Sequence, residues 1–288
     1  MKTSVLVDKI RVALFGVLFA ACFGFTTAQA ADSGVVDLVN RKVLRVCADP
    51  SNIPFSNEAK EGFENKIADV IADELKIPVE YTWFPMSTGF VRMTLFSKRC
   101  DVIIGYAQGD ELVLNTNAYY RSTYALVYKP GVGLDGVDSL ADPKLADKRI
   151  GLVANTPPGY LMVKHGLMAK SKPYPLVVDT RFDSSADAMV KDIRSGDIDA
   201  GILWGPFAGY FSTKGGDTLM VKVLALDPEV STKMSYSVTL GVRPSDTDWK
   251  KQLNTILLKR RGDIERILLD YRVPLIDDQG QPITAPRP

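Results

Sequence analysis

The chain has 288 residues, 46% of them hydrophobic, enough to bury one large or two moderate cores, which excludes disordered and collagen-like classes. Its 35 basic and 34 acidic side chains leave no general attraction to nucleic acid or to an anionic membrane surface, so any partner must be recognised locally.

The first thirty residues read as an export signal. Lys2, Lys9 and Arg11 precede the apolar stretch Val12 to Phe25, and Ala28-Gln29-Ala30 offers small residues for cleavage after Ala30. At about 14 residues the stretch falls short of the roughly 20 that a spanning helix needs, so no membrane insertion is expected after cleavage. Phe19-Ala20-Ala21-Cys22 faintly resembles a lipoprotein cleavage site, with Phe a poor fit at its first position. Taking three bases and one acid away leaves 32 against 33, still balanced. Export places the mature chain in an oxidising compartment, where Cys47 and Cys100 remain after Cys22 leaves with the signal.

From Val43 to Ala48 the pattern is a buried strand, after which Phe63, Ile67, Val70, Ile71 and Leu75 recur at helical spacing. Pro78 introduces a strand over Val79 to Trp83, Gly89 to Phe96 reads as a short helix, and strands follow at Asp101 to Gly105 and Thr123 to Tyr128. The turn formers Lys129-Pro130-Gly131-Val132-Gly133 mark a crossing into a second set of elements. That set comprises strands at Arg149 to Val153 and Leu176 to Asp179, a helix bearing Ala186, Met189, Val190 and Ile193, and strands at Ile198 to Leu203 and Met220 to Leu226. Ser235 to Val242 is a long β-like run. Two helices then carry Trp249, Leu253, Ile256 and Leu257, and Ile264, Ile267 and Leu268, separated by Arg261-Gly262-Asp263; from Ile276 onward the polar, proline-rich chain reads as an extended tail. Alternation of this kind predicts an α/β protein with mixed, mainly parallel sheets flanked by helices.

Cys47 sits in the first strand and Cys100 immediately before the third. If the two strands are neighbours about 4.8 Å apart, their Cα atoms meet the requirement for a disulfide, which closes a loop of about 53 residues and stabilises the fold by about 4 kcal/mol on the chain-entropy model. Two buried free thiols are the alternative.

The element order, leaving one lobe, building a second and returning, resembles the bacterial extracellular solute-binding proteins of the amino-acid-receptor family. The matching pieces are Leu44-Arg45-Val46 running into Pro54-Phe55, Gly62-Phe63-Glu64, Cys100-Asp101-Val102-Ile103-Ile104, Tyr119-Tyr120 and Gly196-Asp197-Ile198-Asp199-Ala200. The resemblance implies a two-lobed periplasmic-binding-protein-like fold with a two-strand hinge and a ligand cleft between lobes. Expected boundaries are residues 1–30 for the signal, 31–129 with 235–288 for lobe one, and 130–234 for lobe two. Amino-acid binding calls for an arginine on the carboxylate and a carboxylate on the ammonium. Where the arginine is due, the chain reads Tyr106-Ala107-Gln108-Gly109-Asp110-Glu111-Leu112-Val113; where the acid is due, it reads Leu203-Trp204-Gly205-Pro206-Phe207. Both anchors are missing, and an apolar cleft is implied. Arg121 stands near the lost arginine, although a strand-end or surface role suits it better.

The longer phrases Cys47-Ala48-Asp49-Pro50-Ser51-Asn52-Ile53-Pro54-Phe55-Ser56-Asn57, Gly62 to Ala68, Tyr81-Thr82-Trp83, Cys100 to Gly105 and Tyr119 to Tyr124 resemble the J-type accessory proteins of pyrroloquinoline-quinone (PQQ) methanol dehydrogenases. That resemblance spans the mature chain and includes both cysteines. It implies a periplasmic factor that assists assembly, maturation or activation of the dehydrogenase, with the enzyme's cytochrome c as a further candidate partner, and supplies no catalytic residues. A transporter receptor for a small apolar or aromatic solute is the alternative, and a dehydratase-like enzyme ranks last because no cleft acid and base can be located.

The bland readings hold for the remaining motifs. His165, the single histidine, has no nucleophile beside it; Asp197-Ile198-Asp199 suits a turn and strand start better than a metal; prolines in Gly151 to Gly159 remove donors an anion would use. Trp83, Phe84, Tyr119 and Tyr120 also fall near strand ends, Trp83 and Tyr119 divided evenly between core and cleft. The cleft-lining candidates are Phe55, Asn57, Tyr106, Gln108, Arg121, Thr156, Trp204 and Phe207. No cofactor, metal or catalytic residue is expected.

Overall fold

The computed structural model describes residues 38–225 and 233–287; the expected signal segment and Leu226 lie outside the described residues. Strand β1 (Leu44–Ala48) is the inner strand of the first lobe. After it come the two-residue strands β2 (Ser51–Asn52) and β3 (Ser56–Asn57), helix α1 (Phe63–Leu75), β4 (Val79–Trp83), α2 (Phe90–Met93), β5 (Val102–Ala107) and β6 (Leu114–Asn115). β1 runs parallel to β4 on one side and β5 on the other. The helical spacing seen in the sequence places Phe63, Ile67, Ala68 and Ile71 on one face of α1, fully buried against this sheet. At its start the Asn65 side-chain oxygen accepts the backbone N–H groups of Asn57 and Gly62. Gly62 is required there, because a Cβ would stand 2.0 Å from the Phe55 carbonyl oxygen.

Strand β7 (Tyr120–Tyr128) connects the two halves. Next follow β8 (Ile150–Val153), α3 (Pro158–Lys164), β9 (Lys172–Tyr174), α4 (Ser185–Ser195), β10 (Ala200–Trp204), α5 (Gly205–Phe211) and β11 (Met220–Val223). The chain returns through β12 (Ser235–Val242), α6 (Thr247–Lys259), α7 (Arg261–Asp270), β13 (Leu275–Ile276) and β14 (Pro282–Ile283). The strand order is β4-β1-β5-β12-β7-β10-β8-β9. β7 pairs antiparallel with β12 over Tyr120–Thr123 and with β10 over Tyr124–Tyr128, so one continuous strand serves both halves. It begins three residues earlier than its β pattern indicated, at the part that pairs with β12. The cores divide accordingly. One cluster joins residues before β7 to β12, α6 and α7, while two more lie on opposite faces of the β7-β10-β8 sheet.

Several expectations are corrected. Leu176 to Asp179 is not a strand; β9 lies four residues earlier, where Lys172, Pro173 and Tyr174 pair with Gly151, Leu152 and Val153. Tyr174 supplies the buried contact, whereas Leu176 and Val177 are 54% and 69% exposed, so the apolar run has no core to face. Pro173 is tolerated because β9 is an edge strand. The helix expected over Gly89 to Phe96 is the single turn α2, and Arg261-Gly262-Asp263 is the first turn of α7; the break falls at Arg260. The tail is folded as well. β13 pairs with Ser122 of β7 and with β14, and Arg287 closes an ion pair on the buried Glu265 carboxylate.

Cys47 and Cys100 form a disulfide with Cα atoms 5.4 Å apart, bridging β1 to the entry of β5 and packed among Phe90, Leu95, Ile103 and Val113. Next to it, Asp101 is 1% exposed and accepts Arg45 Nε and Nη2 at 2.7 and 2.6 Å and Arg243 Nη2 at 2.7 Å.

Candidate functional site

A cavity of about 780 Å³ opens between the halves. One wall comes from the loops that leave β1 and β4, with Ser51, Asn52, Ile53 and Met86. The opposite wall is the segment 175–187, and the floor is made by Tyr124, Leu203, Trp204, Phe207, Tyr210 and Phe211. The floor follows from β10, which delivers Trp204 at its end and passes directly into α5. The Trp204 ring stands edge-on between Tyr124 at 5.4 Å and Tyr236 at 5.8 Å.

Helix α5 is seated on the first lobe by a closed circuit of six aromatic rings. Phe63 meets Phe55 at 5.1 Å, Phe55 meets Phe207 at 5.1 Å, and Phe207 meets Phe211 at 6.3 Å. Phe211 meets Tyr210 at 5.2 Å, Tyr210 meets Tyr271 at 6.2 Å, and Tyr271 returns to Phe63 at 5.8 Å. Edge-to-face and offset pairs at these separations add attraction beyond their buried area. The approach demands Gly209, since a Cβ there would lie 1.8 Å from the Arg272 carbonyl oxygen.

The eight sequence candidates separate. Thr156, Trp204 and Phe207 line the cavity, and Phe55 stands behind Phe207 in the aromatic circuit. The Thr156 hydroxyl is spent locally, donating to the Val153 carbonyl at 2.6 Å. The other four lie away from the cavity and from this circuit. Asn57 holds the start of α1 by exchanging hydrogen bonds with Glu61. Tyr106 packs beside the disulfide cluster, its hydroxyl 3.2 Å from Asp110. Gln108 is exposed, its backbone N–H donating to Ser237. Arg121 donates to Ser235 Oγ at 2.9 Å and lines a separate polar groove beside α6, α7 and the C-terminal hairpin. Alternation along β7 explains this, because Arg121 points away from the face that carries Tyr124. Met86, Tyr124 and the 175–187 segment line the cavity without standing out in the sequence, where the apolar run from Leu176 has the pattern of a strand.

Electrostatically, the charged residues lining the cavity include the exposed Arg181, Asp183 and Lys214. Asp179 is held below the usual carboxylate range by hydrogen bonds from exposed Arg181, and Lys214 stands over the Tyr210 ring at 4.8 Å. On the floor, burial, then the neighbouring Tyr236, pushes the Tyr124 phenol up, so it stays neutral. Glu64, buried in the first turn of α1, has its pKa pushed well above the ordinary carboxyl value by burial first and by nearby Asp49 second. A raised folded-state value means that its contribution is fully present below about pH 4.3, the unfolded value, and is lost as pH rises through the folded value. Glu64→Gln is therefore expected to raise Tm at pH 7 and to have little effect at pH 4, measured by calorimetry at both.

No family model matches the chain. It is 29% identical over 265 residues to protein MoxJ of Methylorubrum extorquens, covering 87% of this chain and 86% of that one. The crystal structure of MxaJ from Methylophaga aminisulfidivorans superposes with TM-score 0.68 at 26% identity, over 81% of this chain and all of that chain. That of the periplasmic binding protein XoxJ from Methylobacterium extorquens AM1 superposes with TM-score 0.70 at 40% identity, over 82% of this chain and all of that one. The chain belongs to the MoxJ/XoxJ family of periplasmic binding proteins. Within this MoxJ/XoxJ-type chain Trp204 ends β10 on the cavity floor, and α5 beyond it is committed to the aromatic circuit.

Proposed function

We propose that this protein is exported to the periplasm, loses residues 1–30, and there binds a polypeptide of a PQQ-dependent methanol dehydrogenase, favouring its assembled, active form by preferential binding. The reading includes lobe boundaries at 31–129 with 235–288 and at 130–234, and the cytochrome c as a further candidate partner. The supporting observation is the interlobe cavity with its aromatic floor in a chain of the MoxJ/XoxJ family; the sequence reading, in which neither charged amino-acid anchor is found, agrees with it. An aromatic floor with hydroxyl-bearing walls suits an apolar side chain of a protein segment better than a zwitterion. A second reading, a transporter receptor for a small aromatic solute, draws on the cavity's size of about 780 Å³, within the range of small-molecule sites.

The test is calorimetric titration of the mature chain with its host's methanol dehydrogenase, in apo and cofactor-loaded forms. Binding of either form supports the accessory role; its absence, together with a Tm rise on adding aromatic solutes, supports the receptor. Truncating a central aromatic anchor typically costs about 2 kcal/mol or more, so Trp204→Ala is expected to weaken that binding roughly 30-fold while the far-UV circular dichroism is retained. An unchanged Kd would move the interface off the cavity.

A further inference from the structure

The wall of the cavity formed by residues 175–184 has no regular structure, and its outward side chains are unusually bare: Leu176, Val177 and Phe182 are 54%, 69% and 79% exposed. Its links within itself are local, among them the Arg181–Asp179 pair and the Ser185 hydroxyl on the Pro175 carbonyl. Among the described residues one side-chain hydrogen-bonded pair links it to the other lobe. Thr180 Oγ1 donates to the carboxylate of Asp49, 3.1 Å from Oδ1 and 3.2 Å from Oδ2.

Asp49 directly follows β1 and is 0% exposed. Among the described residues no lysine or arginine pairs with it; its other donors are the backbone N–H groups of Ser51 at 2.8 Å and Met86 at 2.6 Å. A buried carboxylate held only by dipoles depends on each of them. Two donors come from the acid's own lobe, and the third arrives on the unstructured wall. Ser51, Met86 and Thr180 all line the cavity, so this carboxylate stands where the two walls meet.

We infer that the Thr180–Asp49 hydrogen bond is a latch that holds residues 175–184 closed as the outer wall of the interlobe cavity, and that an occupant enters by releasing it. Release is feasible because water replaces the lost hydroxyl on Asp49 while its two backbone donors stay in place, and because the segment carries little apolar burial of its own to resist displacement. The same segment presents the bare apolar side chains an incoming protein meets first. The inference is independent of which occupant fills the cleft.

Hydrogen exchange of the mature chain, followed by mass spectrometry, tests it with two variants of the partly buried Thr180. Thr180→Val removes the donor and keeps the shape; Thr180→Ser keeps the donor and removes a methyl. For loss of a hydrogen bond to a charged group, exchange over 176–184 is expected to accelerate about ten- to hundredfold in Thr180→Val, with β1 and α4 unchanged and Thr180→Ser like the parent. Unchanged exchange in Thr180→Val overturns the latch. Equal acceleration in both variants also overturns it, by assigning the hold to methyl packing.

Discussion

Reduction of the Cys47–Cys100 disulfide is expected to lower the unfolding free energy by about 4 kcal/mol, the chain-entropy value for a closed loop of this length. The bridge spans 53 residues, and that loop contains β2 to β4, α1 and α2, so freeing it returns to the unfolded chain the conformations of all these elements. Both cysteines are buried in an apolar cluster with Phe90, Leu95, Ile103 and Val113, where a thiol packs nearly as well as the bridge does. The loss therefore arises mainly through the unfolded state. Urea unfolding of the oxidised and reduced protein, followed by tryptophan fluorescence, measures it. For a chain of this size the midpoint is expected to fall by roughly 1 M, and a fall under a quarter of that would refute the entropic account.

Asp101→Ala is expected to cost about 3–5 kcal/mol, the range for removing one partner of a buried ion pair. Asp101 gathers Arg45 from β1 and Arg243 from the end of β12, while its backbone N–H donates to the Arg45 carbonyl, so a single residue ties three strands together. Arg243 is buried and also donates to the carbonyl of Cys100 at 2.7 Å. Without the carboxylate its remaining charged neighbour is Asp246, at 2.7 Å but without an aligned hydrogen bond to that oxygen, which compensates incompletely. The lower half of the range is the firmer expectation for that reason. Asp101→Asn keeps an acceptor and should lose less. Chemical denaturation of the three proteins gives the ordering, and equal stability of Asp101→Ala and the parent would show that the triad contributes nothing net.

The helices of this protein were legible because burial repeats along them. Phe63, Ile67 and Ile71 on α1, and Ala186, Met189, Val190 and Ile193 on α4, are buried where the 3.6-residue period placed them. β12 was legible over its whole length, since Tyr236, Val238, Thr239, Leu240 and Val242 are strand-favouring residues and no proline or charge interrupts them. The aromatic character of the cavity floor at Trp204 and Phe207 could be recognised from residue type alone. Elements without a repeating buried face were less visible. An apolar run such as Leu176 to Val178 looks the same whether it faces a core or a cavity, and the C-terminal hairpin has only two paired residues per strand and joins β7 at Ser122.

By itself the sequence determined the α/β class, the main helices and strands and the resemblance to a binding-protein family, because these depend on patterns that repeat over short distances along the chain. The tertiary structure alone decided which candidates share the cavity. Arg121 and Tyr124 are three residues apart on one strand yet serve different surfaces, while Asp49 and Thr180 are 131 residues apart and touch. The face on which a strand-end side chain emerges is set by pairing register, and a contact between lobes is set by how α5 seats on the first lobe through Gly209 and its aromatic circuit. Both are long-range packing outcomes, for which no local pattern in the chain carries a signal.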